Sequence, residues 1–219
     1  AKSSGGGFPG GPGGGGNTTP PIQFNNDVTS RIVEDYNLKL GELYESDHAS
    51  VISEWAKTFH YNYRAQGYTL TGLDIAGAAA ALDIPEGDNA TSGDGLRNLS
   101  AAVNMYDKQY LSMEAITTVK IASTWETIAG ILNSNFSHGV NRVILHGTPY
   151  AKTFDNNHTA WPGWGWGGGG AGVGEFTAWN QRQIYWEDVN TIADFMSRNQ
   201  ALLQNGTAKV DVALLNDTS

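Results

Sequence analysis

Apolar residues recur at helical spacing over residues 27–45, where Ile32, Tyr36, Leu40 and Leu43 share one face. Val51, Ile52, Trp55 and Phe59 extend the same logic over residues 50–60. The pattern then alternates between short apolar runs and further helical stretches. Residues 61–68 (YNYRAQGY) look strand-like, and residues 80–84 form a short apolar strand that ends at Pro85. Residues 94–106 predict a helix with Leu96, Leu99, Val103 and Tyr106 inward. A strand follows at 109–113. A helix is expected over 124–136, with Thr124 as N-cap and Trp125, Ile128 and Leu132 inward. Residues 140–145 read as a strongly buried strand. A long loop rich in glycine and tryptophan runs to about Arg182. Residues 184–204 predict a helix carrying Val189, Ile192, Met196 and Leu203, closed by Gly206, and residues 209–215 (KVDVALL) a last strand.

This β-α alternation contains about five strands, and short single crossovers favour parallel pairing. A complete (β/α)8 barrel needs about 250 residues. Five strands are too few to close one. The fold class expected is therefore α/β, as the C-terminal part of a TIM-type barrel whose early strands come from a missing N-terminal part or a partner chain. An open doubly wound sheet is the alternative. The glycines at 167–174 (GGGGAGVG) lack the strand–turn–helix frame of a nucleotide loop. Residues 1–21 are Gly/Pro-rich and read as a flexible linker, which leaves 22–219 as the folded region.

Composition narrows the partners. The chain has 219 residues and a formal net charge of −9, without a lysine or arginine cluster, so nucleic acid and anionic membrane are poor partners. No apolar run approaches the roughly 20 residues of a membrane span. There is no cysteine, which removes disulfides, redox thiols and thiolate metal sites from this sequence. Residue 1 is Ala and no signal-peptide pattern follows it, as in a mature chain or one cut from a longer precursor. Seven Asn-x-Ser/Thr sequons begin at Asn17, Asn89, Asn98, Asn135, Asn157, Asn205 and Asn216. That excess favours a glycoprotein secreted through a eukaryotic, fungal-type pathway, against simple Asn and Thr richness.

Candidate chemistry gathers where strands hand over to loops. Glu114 ends the strand expected at 109–113, and a carboxylate there is costly unless it faces a polar cavity. It reads as catalytic, or as an ordinary salt-bridge or helix N-terminal carboxylate. Glu86 lies between Asp83 and Asp88 in DIPEGD, where Pro85 and Gly87 fix the backbone. Three converging carboxylates suit an acid/base pair or a hard cation such as Ca²⁺; the same residues suit a plain turn. His146 ends the strand NRVILH and suits a sugar hydroxyl or a structural hydrogen bond. Trp161, Trp164, Trp166 and Trp179 stand in or near the glycine-rich loop, as faces for a sugar ring or as plugs over the barrel mouth or a subunit contact. Arg182 and Glu187 read as loop charges. Neither a nucleophile elbow nor HExxH is present. Paired carboxylates with aromatics remain, which is glycosidase chemistry.

Six motifs in order carry a resemblance: YRAQGY (63–68), DIPEGD (83–88), SMEA (112–115), GVNRVILHG (139–147), WPGWGW (161–166) and SRNQALLQNG before DVALL (197–215). With them the sequence resembles glycoside hydrolase family 106, the α-L-rhamnosidases, from about Phe24 to Leu215. The resemblance implies a (β/α)8 catalytic barrel and Ca²⁺-assisted hydrolysis with inversion. It implies Glu114 as the carboxylate that activates water, Glu86 close to sugar and Ca²⁺, with Asp88 as a second metal ligand, and His146, Arg64 and Gln66 as substrate contacts. The partner acid in such enzymes comes from an earlier strand that this sequence lacks, so Glu86 replaces it only if it stands across the sugar from Glu114. The expectation is part of an extracellular enzyme that removes terminal α-L-rhamnose or a similar sugar, paired with a complementary N-terminal chain or with itself. The alternative is a non-catalytic glycan-binding or structural protein derived from the same fold.

Overall fold

The computed structural model describes residues 26–67, 74–88, 91, 93–115, 124–146, 179, 181 and 186–214. The glycine tract at 1–21 and the tryptophan loop through Trp161 and Trp164 lie outside the described residues, as do the sequons at Asn17, Asn89, Asn157 and Asn216. Helices α1 (Asn26–Leu43) and α2 (Ser50–Lys57) run into each other through a wider π-helical stretch, Tyr44–Ala49. Then come β1 (Arg64–Ala65), α3 (Ile75–Ala81), β2 (Ile84–Asp88), α4 (Gly93–Met105), β3 (Ser112–Ala115), α5 (Trp125–Ser137), β4 (Arg142–Leu145) and α6 (Val189–Asn205). A short 3₁₀ turn, Trp186–Asp188, leads into α6.

The four strands form one parallel sheet in the order β1-β2-β3-β4. This succession has no reversal of strand order, the switch point that marks a doubly wound sheet. Register and alternation separate the two faces. Glu86 sits opposite Ser112, and Asp88 opposite Glu114. Ser112 in turn sits opposite Arg142, and Glu114 opposite Ile144. Side chains alternate along a strand, so Glu86, Asp88, Ser112, Glu114 and Arg142 share one polar face. Met113, Ala115, Val143 and Leu145 take the other. That apolar face meets Leu96 and Leu99 of α4, Ile128 and Leu132 of α5, and Ile192 and Met196 of α6. Leu111, Ala115, Ile128 and Leu132 are fully buried there.

Two glycines fit the helices to the sheet. At Gly87 a Cβ would meet Leu96 Cδ2 at 2.8 Å, so the bare backbone is what lets α4 press on β2. Gly139 has φ +97, a left-handed conformation that side chains resist, and a Cβ there would run into Ser100 Oγ. It turns the chain from α5 into β4.

The elements depart from the sequence pattern in several places. Residues 80 and 81 end helix α3, and the strand is Ile84–Asp88. Asp74 starts that helix by accepting from Ala76 N at 2.9 Å, and the alanine run then continues it. The β2–β3 ladder begins at Glu86, so Pro85 and its missing N–H lie outside it. The strand expected at 109–113 pairs only from Ser112, which makes Glu114 an interior residue of β3. β4 is partly rather than fully buried. Residues 209–214 form no strand, which leaves four strands among the described residues. Thr124 caps α5 as expected, accepting from Thr127 N at 3.3 Å. Gly206 ends α6 in extended backbone (φ −89, ψ 156), not in the left-handed cap expected of glycine.

The apolar stripe of α1 and α2 is real but uncovered. Ile32, Tyr36, Leu43, Val51, Trp55 and Phe59 are all exposed, and Trp55 and Phe59 stack edge-on with ring centroids 5.2 Å apart. Tyr106, just past α4, and Leu203, in the last turn of α6, are exposed as well.

Candidate functional site

The polar face of the sheet carries a chain of hydrogen bonds that starts from a buried carboxylate. Glu86 is only 7% exposed. An isolated carboxylate at that depth is costly, and the cost is offset by donors from two neighbouring strands. Arg64 Nη1 of β1 and Ser112 Oγ of β3 both donate to Glu86 Oε2 at 2.5 Å. Gln66 Nε2, one residue past β1, donates to Glu86 Oε1 at 3.3 Å. The same nitrogen donates to Glu114 Oε2 at 2.7 Å. His146 follows β4 and brings Nε2 to 3.5 Å from Glu114 Oε1.

Parallel pairing produces this convergence. Residues 66, 86, 112, 114 and 146 lie on or just past four successive strands, and the parallel order brings them to one side. Glu86 is tied down by the bonds it accepts. Glu114 and His146 are less enclosed, with side chains 28% and 19% exposed. His146 Nδ1 is buried without a hydrogen-bond partner among the described residues. The site therefore consists of an anchored carboxylate, a more accessible one, and an amide clamp between them.

One nitrogen spans both carboxylates at 3.3 and 2.7 Å, so Glu86 Oε1 and Glu114 Oε2 are at most 6.0 Å apart. An inverting pair stands roughly 6.5–9.5 Å apart to admit a water and the sugar. Glu86 and Glu114 lie on one polar face with Gln66 between them, and Glu86 is held there by the bonds it accepts.

The three carboxylates of DIPEGD do not converge. Asp83 precedes β2 and turns toward α2, where it accepts from Ser53 Oγ at 2.7 Å and Tyr63 N at 2.9 Å and pairs with Lys57 Nζ at 3.1 Å. Burial alone would push the Asp83 carboxyl up, but the bonds from Ser53 and Tyr63 and the Lys57 charge hold it below the usual carboxylate range. Asp88 Oδ1 is taken up locally by Thr91 N at 3.1 Å. Calcium prefers six to eight oxygen ligands. No group of three or more His, Asp or Glu side chains suited to a metal occurs among the described residues. Glu86 and Asp88 alone do not fit a calcium cage.

Trp179 belongs to the apolar side of the fold. It packs against the helical core, edge-on to Trp125 at 6.2 Å and to Trp186 at 5.5 Å. It is partly buried in this cluster. Asn135 is 5% exposed on the inner side of α5, so its sequon is closed to a glycan in the folded chain. Asn205 is exposed at the end of α6 and Asn98 is partly buried on α4. Sequence reasoning named Arg64 and Gln66 as substrate contacts, and the structure brings both onto Glu86. It missed Ser112, whose one available signal was its two-residue offset from Glu114 on the same strand face. Among the described residues no helix is long and apolar enough to cross a membrane.

No curated protein sequence matches the chain. The solved structure of a rhamnosidase from Novosphingobium sp. PP1Y is similar with a TM-score of 0.61 and 16% identity. That match covers 80% of this chain and 17% of the rhamnosidase chain, so the fold is shared and the chain spans a small part of that protein's length. The family model described as alpha-L-rhamnosidase matches residues 22–219. With a match over nearly its whole length, the chain belongs to glycoside hydrolase family 106.

Proposed function

We propose that this chain is the C-terminal part of the (β/α)8 catalytic barrel of a secreted, inverting α-L-rhamnosidase, and that Glu114 is its water-activating base. The observation that carries the reading is the setting of Glu114: interior to β3 on the polar face, held by Gln66 and faced by His146. Unreversed strand order with helices packed on one side supports an arc of a barrel, whose inner face is then the polar one.

Glu114 takes a proton from water as the water oxygen bonds to the anomeric carbon of a terminal rhamnoside. The glycosidic bond breaks with its electron pair on the leaving oxygen, which is protonated by an acid from polypeptide beyond these 219 residues. Glu86 holds Arg64 and Gln66 in place. His146 contacts the sugar beside Glu114. A calcium ion at this site would need oxygen ligands from outside the described residues. The complementary polypeptide would also close the strand edge left by β1. The exposed sequon at Asn205 supports passage through a secretory pathway.

The test is hydrolysis of an aryl α-L-rhamnoside by the full-length enzyme, followed by proton NMR. Release of rhamnose first seen as the β-anomer supports the proposal. Silence toward this substrate, with the barrel intact, would move the assignment to glycan binding without cleavage.

A further inference from the structure

Residues 207–214 leave α6 at Gly206 and belong to neither a helix nor a sheet. Their pattern is nevertheless that of a strand. Val210, Val212 and Leu214 alternate with Lys209, Asp211 and Ala213. The three apolar side chains are 64%, 70% and 89% exposed. Their backbone makes no hydrogen bond with the backbone of other described residues. An alternating run with its apolar side in water and its N–H and C=O groups bonded to no backbone among the described residues is a strand without its sheet.

The nearest sheet edge in the chain is closed to it. β4 uses Arg142 N and His146 N to bond β3. On its other edge, Val143 N donates to Gln200 Oε1 at 2.8 Å, and Asn141 O accepts from Gln204 Nε2 at 2.6 Å. Two glutamines of α6 thus occupy the backbone groups that a strand following α6 would use.

We infer that residues 209–214 are a strand donated to a second sheet, carried by polypeptide of the same enzyme beyond these 219 residues. The partner is an open strand edge above an apolar layer: main-chain bonds give the pairing, Val210, Val212 and Leu214 face the layer, and Lys209 and Asp211 stay in water. The small share of the similar rhamnosidase that this chain covers leaves ample polypeptide to supply that edge. The inference rests on reading the chain as one part of a larger enzyme.

Amide hydrogen exchange on the full-length enzyme tests it. Exchange at residues 209–214 should be slowed at least about a hundredfold relative to an unstructured peptide, at every protein concentration. Fast exchange there would overturn the inference. Protection that appears only as the protein self-associates would assign the strand to a second copy and would also overturn it. The result is independent of rhamnoside hydrolysis, so a protected segment in an inactive enzyme would sink the functional proposal and leave this one standing.

Discussion

Gln66 Nε2 donates to Glu114 Oε2 at 2.7 Å while reaching Glu86 Oε1 at 3.3 Å, so one side-chain amide sets the spacing of the two glutamates. A residue just past the shortest strand fixes a carboxylate two strands away. Anchoring runs from Ser112 and Arg64 through Glu86 and Gln66 to Glu114.

Removing the clamp should loosen Glu114 more than the fold. Hydrogen bonds to charged groups are worth about 1.5–3 kcal/mol. If that is lost in the transition state, Gln66→Ala lowers kcat by roughly 10- to 100-fold. Steady-state kinetics on the full-length enzyme check this, and a rise confined to KM would mark Gln66 as a substrate contact instead.

Ser112 has no exposed surface and donates to the most buried carboxylate of the network. Ser112→Ala leaves Glu86 short of a donor at a cost of about 1–3 kcal/mol. Urea unfolding should show the lower midpoint with an unchanged slope. An unshifted midpoint would mean that Glu86 recruits another donor.

Asp83 links α2 to the start of β2. Its folded carboxyl lies below the ordinary value of about 3.9, so its contribution is complete above that pH and is lost as pH falls through the folded value. Stability should therefore drop in the acid range, and less steeply in Asp83→Asn. Thermal melts of both proteins from neutral pH downward give the comparison, and parallel curves would remove Asp83 from the account.

At Gly139 the left-handed φ and the nearby Ser100 side chain act together. Gly139→Ala should cost at least about 1 kcal/mol. A variant as stable as the parent would show that the α5–β4 turn relaxes easily.

Periodicity located α4 and α5 to within a residue or two, because each presents one apolar stripe to a sheet that is present. It also found the stripe on α1 and α2, but a stripe does not reveal what covers it, and Trp55 and Phe59 are exposed. Short apolar runs were less legible. The alanines before Leu82 serve a helix as well as a strand, and the register of β2 was settled by its pairing with Ser112 and Glu114. Glu114 and His146 stood out because each follows an apolar run at the point where a strand was expected to hand over to a loop. The clamp by Gln66 was hidden, since it joins residues 48 positions apart. Asp83 was misread for the related reason that its partners, Ser53 and Lys57, lie on a helix far upstream.

The most direct measurement is turnover of an aryl α-L-rhamnoside by the full-length enzyme and its Glu114→Gln variant, with circular dichroism to show that both fold alike. A general base contributes typically 10²- to 10⁴-fold, so kcat should fall by about that factor with KM little changed. A folded variant that keeps the parent's kcat would contradict the assignment of Glu114 as the base.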